Sequence, residues 1–213
     1  MKKDFLPYGI VRNNALKMAH RIYRDGFVPD VIYVPLRGGV YLGNAISEYF
    51  KIVQCQARPV YYAAVIARSY TGVAESSEVK VEGWTYAPEL LRSGDKVLLV
   101  DDIFDSGRTL NCLADIIMKR GISRNNLKLA VHDYKYFFDK ARQHPVQPDY
   151  WCRKHELSIS DEDIWIHYLS HELIGLTRQE LEEHYYAEDP ELREVLQVLH
   201  SGDLRAENAP SEP

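Results

Sequence analysis

The chain has 213 residues, a net charge of −5 and a hydrophobic fraction of 46%. These values indicate a folded globular protein and exclude a disordered or fibrous one. The negative charge gives no general attraction to nucleic acid or to an anionic membrane, so we expect neither as a partner.

Helical and strand patterns alternate along the chain. Helices are predicted over residues 9–25, 40–50 and 109–120. Strands are predicted at 31–34 and in the segments RPVYYAAVIARSY, VKVEGW, KVLLV, NLKLAVHDY and DIWIHYL. TGVAESSE, between two of these strands, is predicted to be an exposed loop. The alternation indicates one open α/β sheet with mainly parallel strands.

Cysteines and targeting signals point to the cytoplasm. The three cysteines, Cys55, Cys112 and Cys152, are odd in number and lack zinc-site spacing, which indicates reduced thiols. The start of the sequence lacks the apolar core of a signal peptide, and no stretch has the length that spans a bilayer. A cytoplasmic location is therefore expected.

The most informative segment is VLLVDDIFDSGRTL, residues 97–110. Ligands of open α/β sheets bind at the carboxyl ends of the strands, which is where Asp101 and Asp102 follow KVLLV. Adjacent carboxylates accept hydrogen bonds from vicinal hydroxyls or help to hold a divalent cation. The next residues form a short loop at a helix start, a setting that favours a phosphate monoester: Ser106, Gly107, Arg108 and Thr109. The segment predicts a sugar-phosphate site, with helix capping by the carboxylates as the simpler alternative.

This segment resembles the phosphoribosyl pyrophosphate (PRPP) signature of the type I phosphoribosyltransferase family. The resemblance implies that Asp101 and Asp102 bind the ribose hydroxyls and that residues 105–109 bind the 5′-phosphate. It also implies the family's α/β fold, a mainly parallel central sheet flanked by helices with a small hood. Residues 1–186 would form the domain, with the hood at about 148–178, and residues 187–213 a C-terminal helix and tail.

Asp105 is typical of the 6-oxopurine branch of this family, the hypoxanthine-guanine and xanthine-guanine phosphoribosyltransferases. The resemblance implies that Asp105 faces N7 of the purine as general base or proton relay. Lys135, at the end of the strand LKLAVHDYKY, would reach the 6-oxo group, because an ammonium donor favours an oxo over an amino substituent. Alone, such a lysine indicates only a solvated strand end.

Two further segments resemble family loops. VIYVPLRGG resembles the pyrophosphate loop, in which Arg37, Gly38 and Gly39 would bind pyrophosphate, and a cis Leu36–Arg37 peptide bond is the feature that tests this. IARSYTG resembles the base of the flexible loop, where Ser69 and Tyr70 would close over the transition state. An ordinary loop tip is the alternative for that dipeptide.

DIWIHYLSHELIGLTR resembles the base-binding hood. Trp165 would stack on the purine, and the backbone of Ile166 would meet its edge. Glu172 would act near Mg²⁺, and Arg178 would contact pyrophosphate. A core tryptophan on a strand is the alternative for Trp165.

The resemblance covers about residues 9–178 and departs from the family at several points. Glu172 replaces the usual Asp of the hood, Ser106 replaces the usual Thr, and the lysine segment is unusually aromatic. His167 and His171 receive no role from the family and are expected to be structural or exposed. These departures bear on the choice among purines more than on the reaction class.

The implied reaction is Mg²⁺-dependent transfer of the 5-phosphoribosyl group from PRPP to N9 of hypoxanthine, guanine or xanthine. The products are the nucleoside 5′-monophosphate and pyrophosphate. Mg²⁺ would bridge PRPP oxygens and contact the carboxylates of Asp101, Asp102 and Glu172 only in part. The family resemblance also implies a homodimer or homotetramer.

Two alternatives remain open. One is a PRPP-sensing regulatory protein with the same fold, against which the negative charge and the retained purine-contacting residues count. The other is a phosphoribosyltransferase for another base, such as uracil.

Overall fold

The computed structural model describes residues 2–53, 58–69, 79–139, 144–161 and 164–196. Within these residues the strands are β1 (Lys2–Leu6), β2 (Val31–Pro35), β3 (Tyr61–Ser69), β4 (Val79–Trp84), β5 (Val97–Phe104), β6 (Leu127–Phe137), β7 (Tyr150–Leu157) and β8 (Ile164–Tyr168). The helices are α1 (Tyr8–Arg24), α2 (Gly39–Ile52), α3 (Arg108–Lys119), α4 (Arg178–Leu181) and α5 (Leu192–Val195), and a π-helical turn spans Glu182–Tyr186. No described helix is both long and apolar enough to cross a membrane.

Six strands form the central sheet in the order β4-β3-β2-β5-β6-β7. Only β4, at one edge, runs antiparallel to its neighbour. The predicted α/β fold with a mainly parallel sheet is confirmed. Continuous apolar runs such as β2 and the first half of β5 form its centre, because strands covered by helices on both faces must be apolar on both.

Alternate residues of the central strands face two separate cores. Ile32, Val34, Leu98 and Val100 pack with the apolar faces of α1 and α2. Val31, Tyr33, Val97 and Leu99 pack with α3 on the other side. This alternation of side chains fixes the register of each strand, and the parallel pairing places the carboxyl ends of β2, β5 and β6 at one edge.

A second sheet contains only two strands, β1 and β8, which pair in parallel from Lys2↔Ile164 to Leu6↔Tyr168. We call β1, β8 and residues 169–178 the hood. The sequence analysis predicted β8 but neither β1 nor β7. β7 lies within the range predicted as hood but pairs with β6 in the central sheet. β1 and β7 carry many polar residues, so hydrophobic periodicity gave no signal for either.

The acidic pair lies within β5 rather than after it. β5 continues to Phe104 because its backbone stays paired with β6, with Asp101 opposite Val131 and Ile103 opposite Asp133. The predicted loop TGVAESSE lies outside the described residues. Asp101 and Asp102 therefore belong to a strand of the sheet, which restrains the position of their side chains more than a loop would.

Candidate active site

The phosphate loop, residues 105–109, comprises the turn after β5 and the first two residues of α3. Gly107 is the N-cap of α3 and has φ 74°, a left-handed conformation that favours glycine. A Cβ at Gly107 would lie 2.4 Å from the Phe104 ring and 2.9 Å from His144. The loop lines a cavity of about 190 Å³ together with Asp101 and Phe104. The predicted phosphate-binding residues are thus brought together at a helix N-terminus.

Asn111 buttresses this loop from the first turn of α3. Its side-chain amide donates to the carbonyl oxygens of Gly107 and Val146, both at 2.9 Å, and its Oδ1 accepts the Val146 N–H at 3.0 Å. The segment before β7 is therefore tied to the phosphate loop. Sequence reasoning missed Asn111, since a polar residue inside a helix pattern carries no positional signal of its own.

The carboxylates of Asp101 and Asp102 are ordered by backbone N–H groups. Asp101 Oδ1 accepts the N–H of Asp102 at 3.0 Å, and Asp102 Oδ1 accepts the N–H of Ile103 at 2.8 Å. Burial, together with the neighbouring Asp102 carboxylate, raises the pKa of Asp101 well above its ordinary value. A cation or hydroxyl donors placed here would stabilise the ionised form of these two adjacent carboxylates.

The loop after β2 approaches this pair closely. The Leu36–Arg37 peptide bond is cis, as the resemblance implied. A Cβ at Gly38 would lie 2.1 Å from Asp102 Oδ2, and one at Gly39 would lie 2.5 Å from the carbonyl oxygen of Val100. Only glycine allows this loop to lie against the end of β5.

A larger cavity, about 720 Å³, lies between this loop and the hood. Its lining residues are Leu36, Arg37, Gly38, Asp102, Trp165, His171, Glu172, Leu173 and Ile174. Five of the predicted site residues therefore share one cavity. Arg178 does not line it and is exposed at the start of α4, while Ile166 is buried on β8 opposite Asp4.

Asp105 and Lys135 meet at the carboxyl ends of β5 and β6. Lys135 Nζ lies 3.5 Å from Asp105 Oδ1, and the lysine side chain is 5% exposed against 55% for the aspartate. Both were predicted to contact the base.

Of the predicted flexible-loop residues, Ser69 is the last residue of β3 and Tyr70 lies outside the described residues.

Glu172 is integrated into the hood. Its Oε2 accepts the backbone N–H of Tyr168 at 3.1 Å and lies 3.4 Å from Trp165 Nε1, while its carbonyl oxygen accepts the Tyr185 hydroxyl at 2.8 Å. His167 is fully buried beside it, and burial lowers the pKa of this imidazole. Glu172 thus fixes the turn that follows β8, whatever else it contacts.

A buried charged cluster joins the hood to the central sheet. Asp133 on β6 accepts hydrogen bonds from four side chains at 2.6–2.7 Å: His132, Arg153, His155 and Tyr168. Burial acts to raise the pKa of Asp133, but these hydrogen bonds outweigh it and hold the pKa well below its usual range. Arg153 also donates to Asp4 of β1 at 2.8 Å. Sequence reasoning missed this cluster.

His171 is another residue for which the sequence suggested no role. It is neither exposed nor remote, because its side chain is 14% exposed and its Nε2 lies 3.2 Å from Asp102 Oδ2. The Tyr168 hydroxyl lies 2.9 Å from the carbonyl oxygen of the same aspartate. The hood therefore contacts the acidic pair through two side chains.

The described residues contain no group of three or more His, Cys, Asp and Glu side chains placed to hold a metal ion. The adjacent Asp101 and Asp102 carboxylates fit an ion that takes most of its ligands from water and from a bound pyrophosphate group, as Mg²⁺ does.

Comparisons with known proteins agree with this geometry. Residues 9–166 match the Phosphoribosyl transferase domain family. The chain is 28% identical over 154 residues to the Bifunctional protein PyrR of Halalkalibacterium halodurans, an alignment that covers 70% of this chain and 82% of that protein. It is 25% identical over 133 residues to the hypoxanthine-guanine phosphoribosyltransferase of Cricetulus griseus, covering 61% of this chain and 58% of that enzyme.

The fold is also that of a solved relative. A purine phosphoribosyltransferase from Pyrococcus horikoshii superimposes with a TM-score of 0.60 at 20% identity, covering 84% of this chain and 100% of that one. Because the sequence match spans well over half of the chain and the cis loop, acidic pair and phosphate loop meet at one sheet edge, the protein belongs to the type I phosphoribosyltransferase family.

Proposed function

We propose that the protein transfers the 5-phosphoribosyl group of PRPP to N9 of a 6-oxopurine, releasing pyrophosphate and a nucleoside 5′-monophosphate. The observation that carries this proposal is the 3.5 Å contact between Lys135 Nζ and Asp105 Oδ1, of which Asp105 lines the phosphate-loop cavity.

The pairing of these two side chains matches one edge of a 6-oxopurine. N7 and O6 are neighbours on that edge: O6 accepts hydrogen bonds, and N7 carries a proton in the N7–H tautomer of the free base and accepts once N9 is substituted. Lys135 donates a hydrogen bond to O6, and the Asp105 carboxylate accepts the proton from N7. Adenine places an amino donor where O6 would be, and uracil has no such edge, so both bases fit the pair poorly.

PRPP is held by the remaining parts of the site. The phosphate loop binds the 5′-phosphate through its N–H groups and hydroxyls. The carboxylates of Asp101 and Asp102 accept the ribose hydroxyls, and the Arg37 loop takes the pyrophosphate. The same two aspartates would hold Mg²⁺ in part, and the bound ion would supply positive charge to the leaving pyrophosphate.

The chain's own residues then orient the reactants and exclude water. Trp165 lines the larger cavity together with Arg37 and Asp102, and its ring would stack on the base. Asp105 takes the proton from N7 as the bond from N9 to the ribose C1′ forms and the bond from C1′ to the pyrophosphate oxygen breaks. Most of the rate enhancement comes from holding base and ribose together rather than from covalent chemistry.

The test is a spectrophotometric assay with PRPP, Mg²⁺ and hypoxanthine, guanine, xanthine, adenine or uracil offered separately. We expect turnover of one or more 6-oxopurines and a loss of about 10²-fold or more in kcat for Asp105→Asn. Asp115→Asn is the matched control, because the Asp115 side chain on α3 is 56% exposed and that of Asp105 is 55% exposed. Exclusive use of adenine or uracil would contradict the proposal.

A second candidate is a regulatory protein that binds PRPP without this turnover. The similarity of the chain to the Bifunctional protein PyrR supports this second candidate. Tight PRPP binding with no turnover of any of the five bases would select it.

A further inference from the structure

His171 contacts Asp102 but has no role in the site as proposed above. Its Nε2 lies 3.2 Å from Asp102 Oδ2, and its Nδ1 lies 2.9 Å from the Ser170 hydroxyl. An imidazole protonated on Nε2 satisfies both contacts, since it donates to the carboxylate and accepts from serine. His171 is thereby a hydrogen-bond donor aimed at one oxygen of the acidic pair.

Two tyrosines fix the plane of the His171 ring. Tyr41 of α2 and Tyr168 of β8 both stack with it, each with ring centroids 5.3 Å away and with interplanar angles of 16° and 17°. Tyr168 is itself immobilised, because its hydroxyl lies 2.7 Å from Asp133 Oδ2 and 2.9 Å from the Asp102 carbonyl oxygen. The imidazole therefore has little freedom to rotate away from Asp102.

The Asp102 carboxylate is restrained on its other sides as well. Oδ1 accepts the Ile103 N–H at 2.8 Å, and the backbone of Gly38 leaves no room for a Cβ beside Oδ2. His171 supplies the remaining directional contact to Oδ2. Without it, the carboxylate could turn about its Cβ–Cγ bond and lose the orientation in which it accepts ribose hydroxyls.

We propose that His171 is a positioning residue that holds the Asp102 carboxylate in the orientation that binds the ribose of PRPP. This inference rests on the proposed PRPP site but not on the choice of base. Since the contact to the ribose hydroxyls exists in both ground and transition states, its loss weakens PRPP binding more than it slows the chemical step.

The test is a titration with PRPP and Mg²⁺, without base, on the full chain and its variants. His171→Leu removes the donor, and we expect the Kd for PRPP to rise roughly tenfold, as for one hydrogen bond to a charged group. His171→Gln places an amide donor near the Nε2 position and should recover a Kd within about threefold of the unaltered protein. His20→Leu, an exposed histidine paired with the Tyr49 hydroxyl, is the matched control with an unchanged Kd.

A purely structural role predicts different results. In that case the Kd for PRPP would rise equally in His171→Leu and His171→Gln. Where turnover is present, the KM for the base would rise together with the Kd for PRPP. Either result overturns the proposal, as does an unchanged Kd in His171→Leu. If His171→Leu does not fold, Tyr41→Leu removes one stacking partner and should raise the Kd about threefold.

The proposed function can fail separately from this inference. PRPP binding that depends on His171, with no turnover of a 6-oxopurine, would overturn the proposed reaction and support the positioning role. An unaltered protein that binds no PRPP would overturn both.

Discussion

The phosphate loop and the hood both contribute residues to the candidate site, and they are built in different ways. The loop takes its groups from one contiguous segment, residues 105–109, where a central strand ends and a helix begins. The hood assembles β1 with β8, whose paired residues are separated by more than 150 positions in the chain. The loop is a local motif that any parallel sheet could display, whereas the hood exists only through contacts between distant segments.

The junction between these two regions is the buried cluster around Asp133, and removing that carboxylate should have the largest effect. Asp133→Asn removes the negative charge and one of the two acceptor oxygens that Arg153 and two histidines share, so we expect the free energy of unfolding to fall by about 3–5 kcal/mol. Urea unfolding measures this, with Asp115→Asn as the exposed control. A loss below about 1 kcal/mol would mean that the cluster does not couple hood and sheet.

The same residue gives a pH prediction with a definite sign. Because the pKa of Asp133 is lowered in the folded protein, its ionised form stabilises the fold at pH values above its ordinary pKa of 3.8. That stability is lost as the pH falls below this value toward the lowered pKa. The unaltered protein should therefore lose stability more steeply than Asp133→Asn in acid, measured by unfolding at pH 5 down to about pH 2.

Gly38→Ala tests how closely the pyrophosphate loop and the acidic pair depend on each other. The new Cβ would lie 2.1 Å from Asp102 Oδ2, so the carboxylate must move, and we expect kcat/KM for PRPP to fall about 100-fold. Gly9→Ala on α1 is the matched control, because nothing lies within 4 Å of its new Cβ. Equal activity of the two variants would show that Asp102 tolerates displacement.

Lys3→Met loosens the hood without touching the phosphate loop. Lys3 of β1 donates to the Gly175 carbonyl oxygen and lies 2.7 Å from Glu180, with both side chains largely buried. We expect the KM for the base to rise about fivefold while the Kd for PRPP stays within twofold, since one partly buried charged contact is lost. Lys119→Met removes an exposed ion pair and serves as control. An equal change in PRPP binding would show that the two regions are not separable.

Trp165→Phe should have the smallest effect. The ring remains available for stacking, and only the long 3.4 Å contact from Nε1 to Glu172 is lost. We expect a two- to threefold rise in the KM for the base, measured under PRPP saturation. A loss of tenfold or more would mean that the indole N–H is a principal anchor of Glu172.

Sequence could predict the phosphate loop because its chemistry is local. Asp101, Asp102 and Gly107 stand in one segment whose strand, turn and helix signals agree, so their positions followed from pattern and spacing. The cis Leu36–Arg37 bond was confirmed for a similar reason, since it belongs to a short motif with a recognisable resemblance.

The hood could not be predicted in the same way. The sequence pattern indicates only that Asp133 is a polar residue in a strand. Its contacts with Arg153 and Tyr168 arise from the tertiary fold. His171 was set aside because the family offered no role for it, yet its contact with Asp102 spans 69 positions of the chain. Such pairings are set by tertiary packing, which local propensity and periodicity do not encode.

The parallel pairing of β1 with β8 has a consequence for how the protein is made. Because Lys2–Leu6 can pair only after Ile164–Tyr168 has left the ribosome, the central sheet can form while β1 still lacks its partner. An unpaired strand edge invites association with other chains, and charged residues discourage it. The charges of Lys2, Lys3 and Asp4 thus protect the nascent chain during the interval before the substrate site is completed.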